Sequence, residues 1–208
     1  MQAALLPVRS LASAKGRLAA SLTANEREAL TREMLADMIR ALASATSVER
    51  IFVVSADARV LDEARRLRAE PLSEHCAEGT EGVAEGQARG LNPAVAAAAR
   101  ELESRGVRRL LTIPGDVPLI DPTEVDELFA VDPVAFPVVL VPSAAGTGTN
   151  ALLTSPPTVI EPRFEGASLE AHSALCRSLG IAFRVLALAS FALDVDTPED
   201  LAALRARR

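Results

Sequence analysis

The sequence predicts a single-domain α/β protein: a mostly parallel sheet flanked by helices on both faces, in a Rossmann-like arrangement. Two observations carry this. Short continuous apolar runs at 3–8, 50–55 and 109–113 read as strands buried on both faces. Amphipathic stretches of helical period separate them, which is the strand–helix alternation of a doubly covered sheet. With 208 residues, 49% of them apolar, the chain is long enough to bury such a core, and one domain over 1–208 is expected.

Taken in order, the run at 3–8 is the first strand. After a loop, Thr23-Ala24-Asn25-Glu26 reads as a capping box that opens a helix to about residue 43. Leu30, Met34, Leu35, Met38 and Leu42 form its apolar stripe. A second strand at 50–55 completes the crossover, followed by a short helix at 57–67 and a brief strand at 70–72. An acidic, glycine-containing loop then covers 73–90, and an alanine-rich helix at 93–104 is ended by Gly106. The third long strand, 109–113, is broken by Pro114-Gly115-Asp116-Val117-Pro118, after which Asp121 and Pro122 begin another helix. An apolar run at 135–141, a small-residue loop at 143–149 and a short strand at 151–154 come next. A helix at 168–179, strands near 183–188 and 191–193, and a last helix from Pro198 complete the chain.

Composition excludes several function classes. No run reaches the roughly 18 apolar residues of a membrane span, so no membrane partner is expected. Met1 and Gln2 lead into the apolar run at 3–6 without a basic segment, so a cytoplasmic location is expected. Cys76 and Cys176 are then expected to be reduced thiols. A formal net charge of −6 is wrong for gripping a nucleic-acid backbone, and small-molecule partners are favoured. Either a monomer or a homodimer is compatible with this pattern.

Four motifs carry candidate chemistry. The loop Pro7-Val8-Arg9-Ser10 through Lys15-Gly16-Arg17-Leu18 leaves the first strand at the sheet edge where open α/β sheets bind ligands. Its small residues expose backbone N–H groups, and Arg9, Lys15 and Arg17 suit a triphosphate; solvated surface charge is the plainer alternative. Lys15 is the single lysine among 22 basic residues, a compact ammonium in a chain that otherwise uses arginine. Asp116 follows the third long strand, where its carboxylate either holds a hard cation or caps a turn. Asp194 and Asp196, two apart in an extended segment, face the same side, although Asp196 or Thr197 alternatively caps the helix at Pro198. Three carboxylates suit Mg²⁺, which completes its shell with water and substrate phosphate. Thr149 and Ser168, with Glu165 and Gly166 in the loop before Ser168, suit a small anion at a helix N-terminus, with simple helix capping by Ser168 the alternative. Gly90 and Asn92 either read a base or ribose or simply cap a helix. His75 and His172 lie at no metal-ligand spacing and read as surface or capping residues.

In this order the motifs resemble the MobA-like nucleotidyltransferases, and more closely the 2-phospho-L-lactate/phosphoenolpyruvate guanylyltransferase family of coenzyme F-420 biosynthesis. The carriers are Leu6-Pro7-Val8, Ala14-Lys15-Gly16-Arg17-Leu18, Gly90-Leu91-Asn92, Pro114 to Leu119, Gly148 to Leu152, Arg163-Phe164 through Ser168 with His172, and Leu193 to Pro198. The resemblance implies transfer of GMP from GTP to the phosphate of a phosphorylated three-carbon acid, with pyrophosphate released. It implies metal ligands at Asp116, Asp194 and Asp196, triphosphate contacts at Lys15 and Arg17, and phospho-acid contacts at Thr149 and Ser168. Glu165 stands where the family usually has glycine, with Gly166 one place later, and Arg9 where lysine is common. A cytidylyl- or sugar-nucleotide transferase, or a non-catalytic nucleotide binder, is the alternative.

Overall fold

Successive side chains of a strand point to opposite faces, and the first strand, β1 (Gln2–Pro7), uses both. Ala4 and Leu6 pack into one apolar layer while Ala3 and Leu5 pack into the other. The computed structural model describes residues 1–11, 15–74 and 90–207. Within these, β1 is joined by β2 (Arg50–Ser55), β3 (Glu70–Ser73), β4 (Arg109–Thr112), β5 (Val138–Pro142), β6 (Thr149–Thr154) and β7 (Phe183–Val185) in one sheet of order β3-β2-β1-β4-β6-β5-β7.

The helices cover both faces. On one side α1 (Ala24–Ser44), α2 (Ala58–Arg66) and α4 (Pro122–Ala130) bury Leu35, Met38, Val60 and Leu128 against Leu6, Val53 and Leu111. On the other, α3 (Leu91–Ser104) lays Val95, Ala98 and Leu102 on Leu5 and Phe52, and α5 (Ser168–Leu179) buries Cys176 near Leu140 and Leu152. The last helix, α6 (Pro198–Arg207), packs Leu201 and Leu204 on Leu30 and Met34 of α1.

Local chemistry sets the boundaries. Thr23 and Glu26 form the expected reciprocal cap of α1, and Gly106, at φ 88°, takes the left-handed position that ends α3. Asp121 accepts from the Thr123 amide with Pro122 behind it, as the start of α4 requires. Three expectations need correction. Residues 191–193 are not a strand: Asn150 Nδ2 donates to the Phe191 carbonyl, so a side chain rather than a sheet partner serves that backbone. The final strand stops at Val185, and the apolar run at 135–141 forms a strand only from Val138. Most of the loop expected at 73–90, including His75 and Cys76, lies outside the described residues.

Two features of the topology position the site. Strand order reverses between β1 and β4, so the loops after these strands diverge and leave a crevice at the carboxyl edge. Strand β6 runs antiparallel between β4 and β5. Its first residues therefore arrive at that same edge, with Thr149 beside Pro142 at the end of β5. No helix among the described residues is long and apolar enough to cross a membrane.

Candidate active site

The carboxyl edge gathers the two acidic segments. The loop after β4 is drawn against β1 by a hydrogen bond from the Gly115 amide to the Pro7 carbonyl, at 3.2 Å. A Cβ at position 115 would lie 2.9 Å from Val8 Cγ2, so glycine is what permits the approach. The segment 194–196 is tied to the same loop, because the Val195 amide donates to the Asp116 carbonyl at 2.9 Å. Helix α6 is capped without Asp196: Thr197 Oγ1 accepts from the Asp200 amide, while Asp200 accepts from the amides of Asp196 and Thr197. That leaves the Asp196 carboxylate to face the crevice.

There the structure brings Lys15, Arg17, Asp116, Asp194 and Asp196 together. Lys15 Nζ lies 3.1 Å from Asp116 Oδ2 and 3.2 Å from Asp196 Oδ1, and its side chain is only 8% exposed. Arg17 reaches Asp196 Oδ2 at 3.4 Å but is 76% exposed and correspondingly screened. Asp194 is held at its Oδ1 by Asn150 Nδ2, 3.3 Å away. Burial pushes the Asp194 carboxyl above its ordinary range; the Asn150 hydrogen bond opposes this, and the charges of Asp116 and Asp196 reinforce it. Three carboxylates against one enclosed ammonium leave about two negative charges uncompensated. A divalent cation with hard oxygen ligands suits that imbalance, and the donor set fits Mg²⁺. Among the described residues no group of three or more His, Cys, Asp or Glu side chains is arranged as a ready metal cage, because Asp116 and Asp196 are both turned onto Lys15.

On the other side of β1, Pro7, Arg9 and Gly90 line a cleft of about 620 Å³ with Asp57 and Glu74, a size within the usual range for small-molecule sites. Gly90 holds φ 90° at the start of α3, a conformation that strains any other residue. Asp57 braces the floor of the cleft, its Oδ2 accepting from Ser10 Oγ at 2.9 Å and from the Leu11 amide at 3.0 Å. Burial pushes this carboxyl up, but hydrogen bonds from Arg59, Ser10 and Leu11 outweigh it and hold the pKa at about 2. Glu74 Oε2 is buried without a hydrogen-bond partner among the described residues.

Thr149 and Ser168 meet at the start of β6. The Thr149 amide donates to Ser168 Oγ at 2.7 Å, and Thr149 Oγ1 lies 3.1 Å from His172 Nδ1. Because consecutive strand residues face opposite ways, Thr149 looks toward α5 while Asn150 looks toward Asp194. Asn92 does not project freely toward a nucleotide: its Oδ1 accepts from the Phe164 amide at 2.7 Å and so ties the start of α3 to the loop before Ser168. Glu165 and Gly166 are exposed on that loop. His172, expected to be a surface or capping residue, is 0% exposed and accepts from the Arg163 amide at Nε2, 2.8 Å away. Sequence reasoning assigned no role to Asn150, Asp57 or Glu74. For Asn150 the strand alternation held a signal, since it places this side chain opposite Thr149.

Burial pushes the His172 imidazole down to about 4; a hydrogen bond to the Ser168 backbone opposes that shift and the charge of Arg163 adds to it. Between about pH 6.5 and 4 the unfolded chain therefore binds a proton that the folded chain refuses. Stability is expected to be full above pH 6.5 and to fall as the pH drops through this interval, by up to about 3 kcal/mol from this residue. Urea unfolding at several pH values checks this: His172→Asn should lose less stability on acidification than the native chain, and parallel losses would contradict it.

The fold and the edge site define the class. A protein from Desulfovibrio desulfuricans G20 assigned as a nucleotide-diphospho-sugar transferase superposes with a TM-score of 0.77 at 16% identity, covering 98% of this chain and 87% of that one. This likeness shows the nucleotidyltransferase fold. The chain matches the family described as "Guanylyl transferase CofC like" over residues 2–205, and it belongs to that family. It is 39% identical over 203 residues to the phosphoenolpyruvate guanylyltransferase of Conexibacter woesei, covering 97% of this chain and 86% of the relative. It is 30% identical over 198 residues to the 2-phospho-L-lactate guanylyltransferase of Methanocaldococcus jannaschii, covering 95% and 79% respectively.

Proposed function

We propose that the protein transfers GMP from GTP to the phosphate of a phosphorylated three-carbon acid, phosphoenolpyruvate, 2-phospho-L-lactate or 3-phosphoglycerate, as a step in coenzyme F-420 biosynthesis. The observation that carries this reading is the convergence of Lys15, Asp116, Asp194 and Asp196 at the carboxyl edge, between a nucleotide-sized cleft and the Thr149/Ser168 pair. Membership of a guanylyltransferase family supports the choice of nucleotide.

In this mechanism no side chain acts as nucleophile. The acceptor phosphate is already ionised at neutral pH; its oxygen forms a bond to the α-phosphorus as the bond to the β-phosphate bridging oxygen breaks, and pyrophosphate leaves. Lys15 and Arg17 neutralise the triphosphate, and the backbone amides around Arg9 and Ser10 border its path. Asp116, Asp194 and Asp196 would hold Mg²⁺, which supplies charge neutralisation on the phosphate oxygens when bound. Asn150 keeps Asp194 aimed at that position, and Thr149 and Ser168 orient the acid for in-line attack. The test is pyrophosphate release with each of the four nucleoside triphosphates, Mg²⁺ and phosphoenolpyruvate. GTP is expected to be preferred, and a clear preference for CTP would overturn the reading in favour of a cytidylyltransferase.

A further inference from the structure

His172 sits outside the phosphate and metal machinery yet is the most enclosed ionisable side chain near the acceptor pair, 0% exposed at the first turns of α5. One of its two nitrogens faces a group whose role is fixed by chemistry. Nε2 lies 2.8 Å from the Arg163 amide, and a backbone N–H is a donor only, so Nε2 must be the unprotonated nitrogen. The ring proton is therefore on Nδ1, where it faces Thr149 Oγ1 at 3.1 Å and also the Ser168 backbone. Facing a donor, the Thr149 hydroxyl accepts there and has to offer its own proton in another direction. Ser168 is in the same position, since its Oγ accepts from the Thr149 amide at 2.7 Å. Each hydroxyl thus takes up an internal donor with one lone pair and keeps its own proton for a further acceptor, the polarity needed to hold an anionic oxygen.

We infer that His172 is a positioning residue of the acceptor site: locked as the Nδ1–H tautomer by the Arg163 amide, it turns the Thr149 hydroxyl proton toward an anionic oxygen of the phosphorylated acid. This rests on the guanylyltransferase reading for the identity of the ligand, but the tautomer and the hydroxyl polarity follow from the hydrogen bonds alone. The Phe164 ring, 5.2 Å from the imidazole and nearly perpendicular to it, keeps the ring plane fixed. Burial, which keeps the ring uncharged at neutral pH, preserves the acceptor at Nε2 on which the tautomer depends.

Two substitutions separate positioning from simple structural support. In His172→Asn the amide nitrogen takes the place of Nδ1 and keeps a donor toward Thr149, whereas His172→Gln keeps an acceptor near the Nε2 position and loses that donor. With phosphoenolpyruvate as acceptor, His172→Gln is expected to raise the acceptor KM about tenfold, the cost of one misdirected hydrogen bond to an anion, while the GTP KM stays within about twofold. His172→Asn should remain within about threefold of the native KM, and in a Thr149→Val background His172→Gln should add no further loss. Equal losses in both variants, or a His172→Gln penalty that persists without the Thr149 hydroxyl, would overturn the inference. A second measurement needs no turnover: imidazole ¹⁵N shifts of the native protein near neutral pH should report protonated Nδ1 and bare Nε2, and the opposite tautomer would overturn the inference by itself. A native protein that shows the expected tautomer but transfers no nucleotide to any phosphorylated acid would instead defeat the guanylyltransferase reading.

Discussion

Replacing Asp116 with asparagine is expected to cut pyrophosphate release by about a thousandfold or more while leaving the protein folded. The structural part of this residue is its backbone, whose carbonyl accepts from the Val195 amide at 2.9 Å, and that bond survives the substitution. The side chain is different. Its carboxylate shares the Lys15 ammonium with Asp196 and helps to push up Asp194, so its charge belongs to the cluster that the proposed metal would balance. Asparagine keeps the shape and removes the charge. Stability should change by no more than about 1 kcal/mol, because a partly exposed ion pair is lost while repulsion on Asp194 is relieved. A coupled pyrophosphate assay beside a thermal melt checks both halves, and near-native turnover in a folded variant would remove the acidic cluster from the mechanism.

The second large effect is expected at Lys15. Methionine matches the length of lysine and fills the same enclosed space, so Lys15→Met isolates the ammonium. Without it, Asp116, Asp194 and Asp196 face one another with, among the described residues, the exposed Arg17 as the cation paired with them. Turnover is expected to fall by about a hundredfold or more, since a preorganised cation at the phosphates is lost. Stability should fall by about 2 kcal/mol at low ionic strength, and added Mg²⁺ should restore the melting temperature of the variant by more than it raises that of the native protein. A variant as stable as the native chain, with the same response to Mg²⁺, would contradict the charge balance described above. Lys15→Arg is not expected to rescue activity, because a planar guanidinium replaces a point charge where two carboxylates converge on one atom.

Much of this site was legible in the sequence because its parts are local. An acid directly beyond an apolar strand, as at Asp116, must sit at the carboxyl edge of a parallel sheet, and the spacing of Asp194 and Asp196 sets their common side. The capping box at Thr23 and the glycine after α3 were equally readable, since caps depend on neighbouring residues alone. What stayed hidden depends on pairings between distant segments. That Lys15 lies between Asp116 and Asp196 requires the loop after β1 to meet two others. That β6 runs antiparallel, delivering Thr149 and Asn150 to the same edge, is a property of the whole sheet order. His172 read as a surface or capping residue because a polar side chain on an amphipathic helix usually is one. Its burial is made possible by partners at Thr149 and Arg163, well upstream of it in the chain. Asn92 read as either a nucleotide contact or a helix cap from its place at a helix start; that its Oδ1 is engaged by the Phe164 amide, seventy-two residues on, was not legible there.

Family membership supports guanylyl transfer more firmly than it indicates the acceptor. The most direct measurement therefore reads the product itself: GTP and Mg²⁺ incubated in turn with phosphoenolpyruvate, 2-phospho-L-lactate and 3-phosphoglycerate, with the products weighed by mass spectrometry. The site described here predicts a guanylylated acid, formed through a new phosphoanhydride bond with one pyrophosphate released per product. GTP left intact with all three acids, or a product carrying cytidylate when CTP competes, would contradict it.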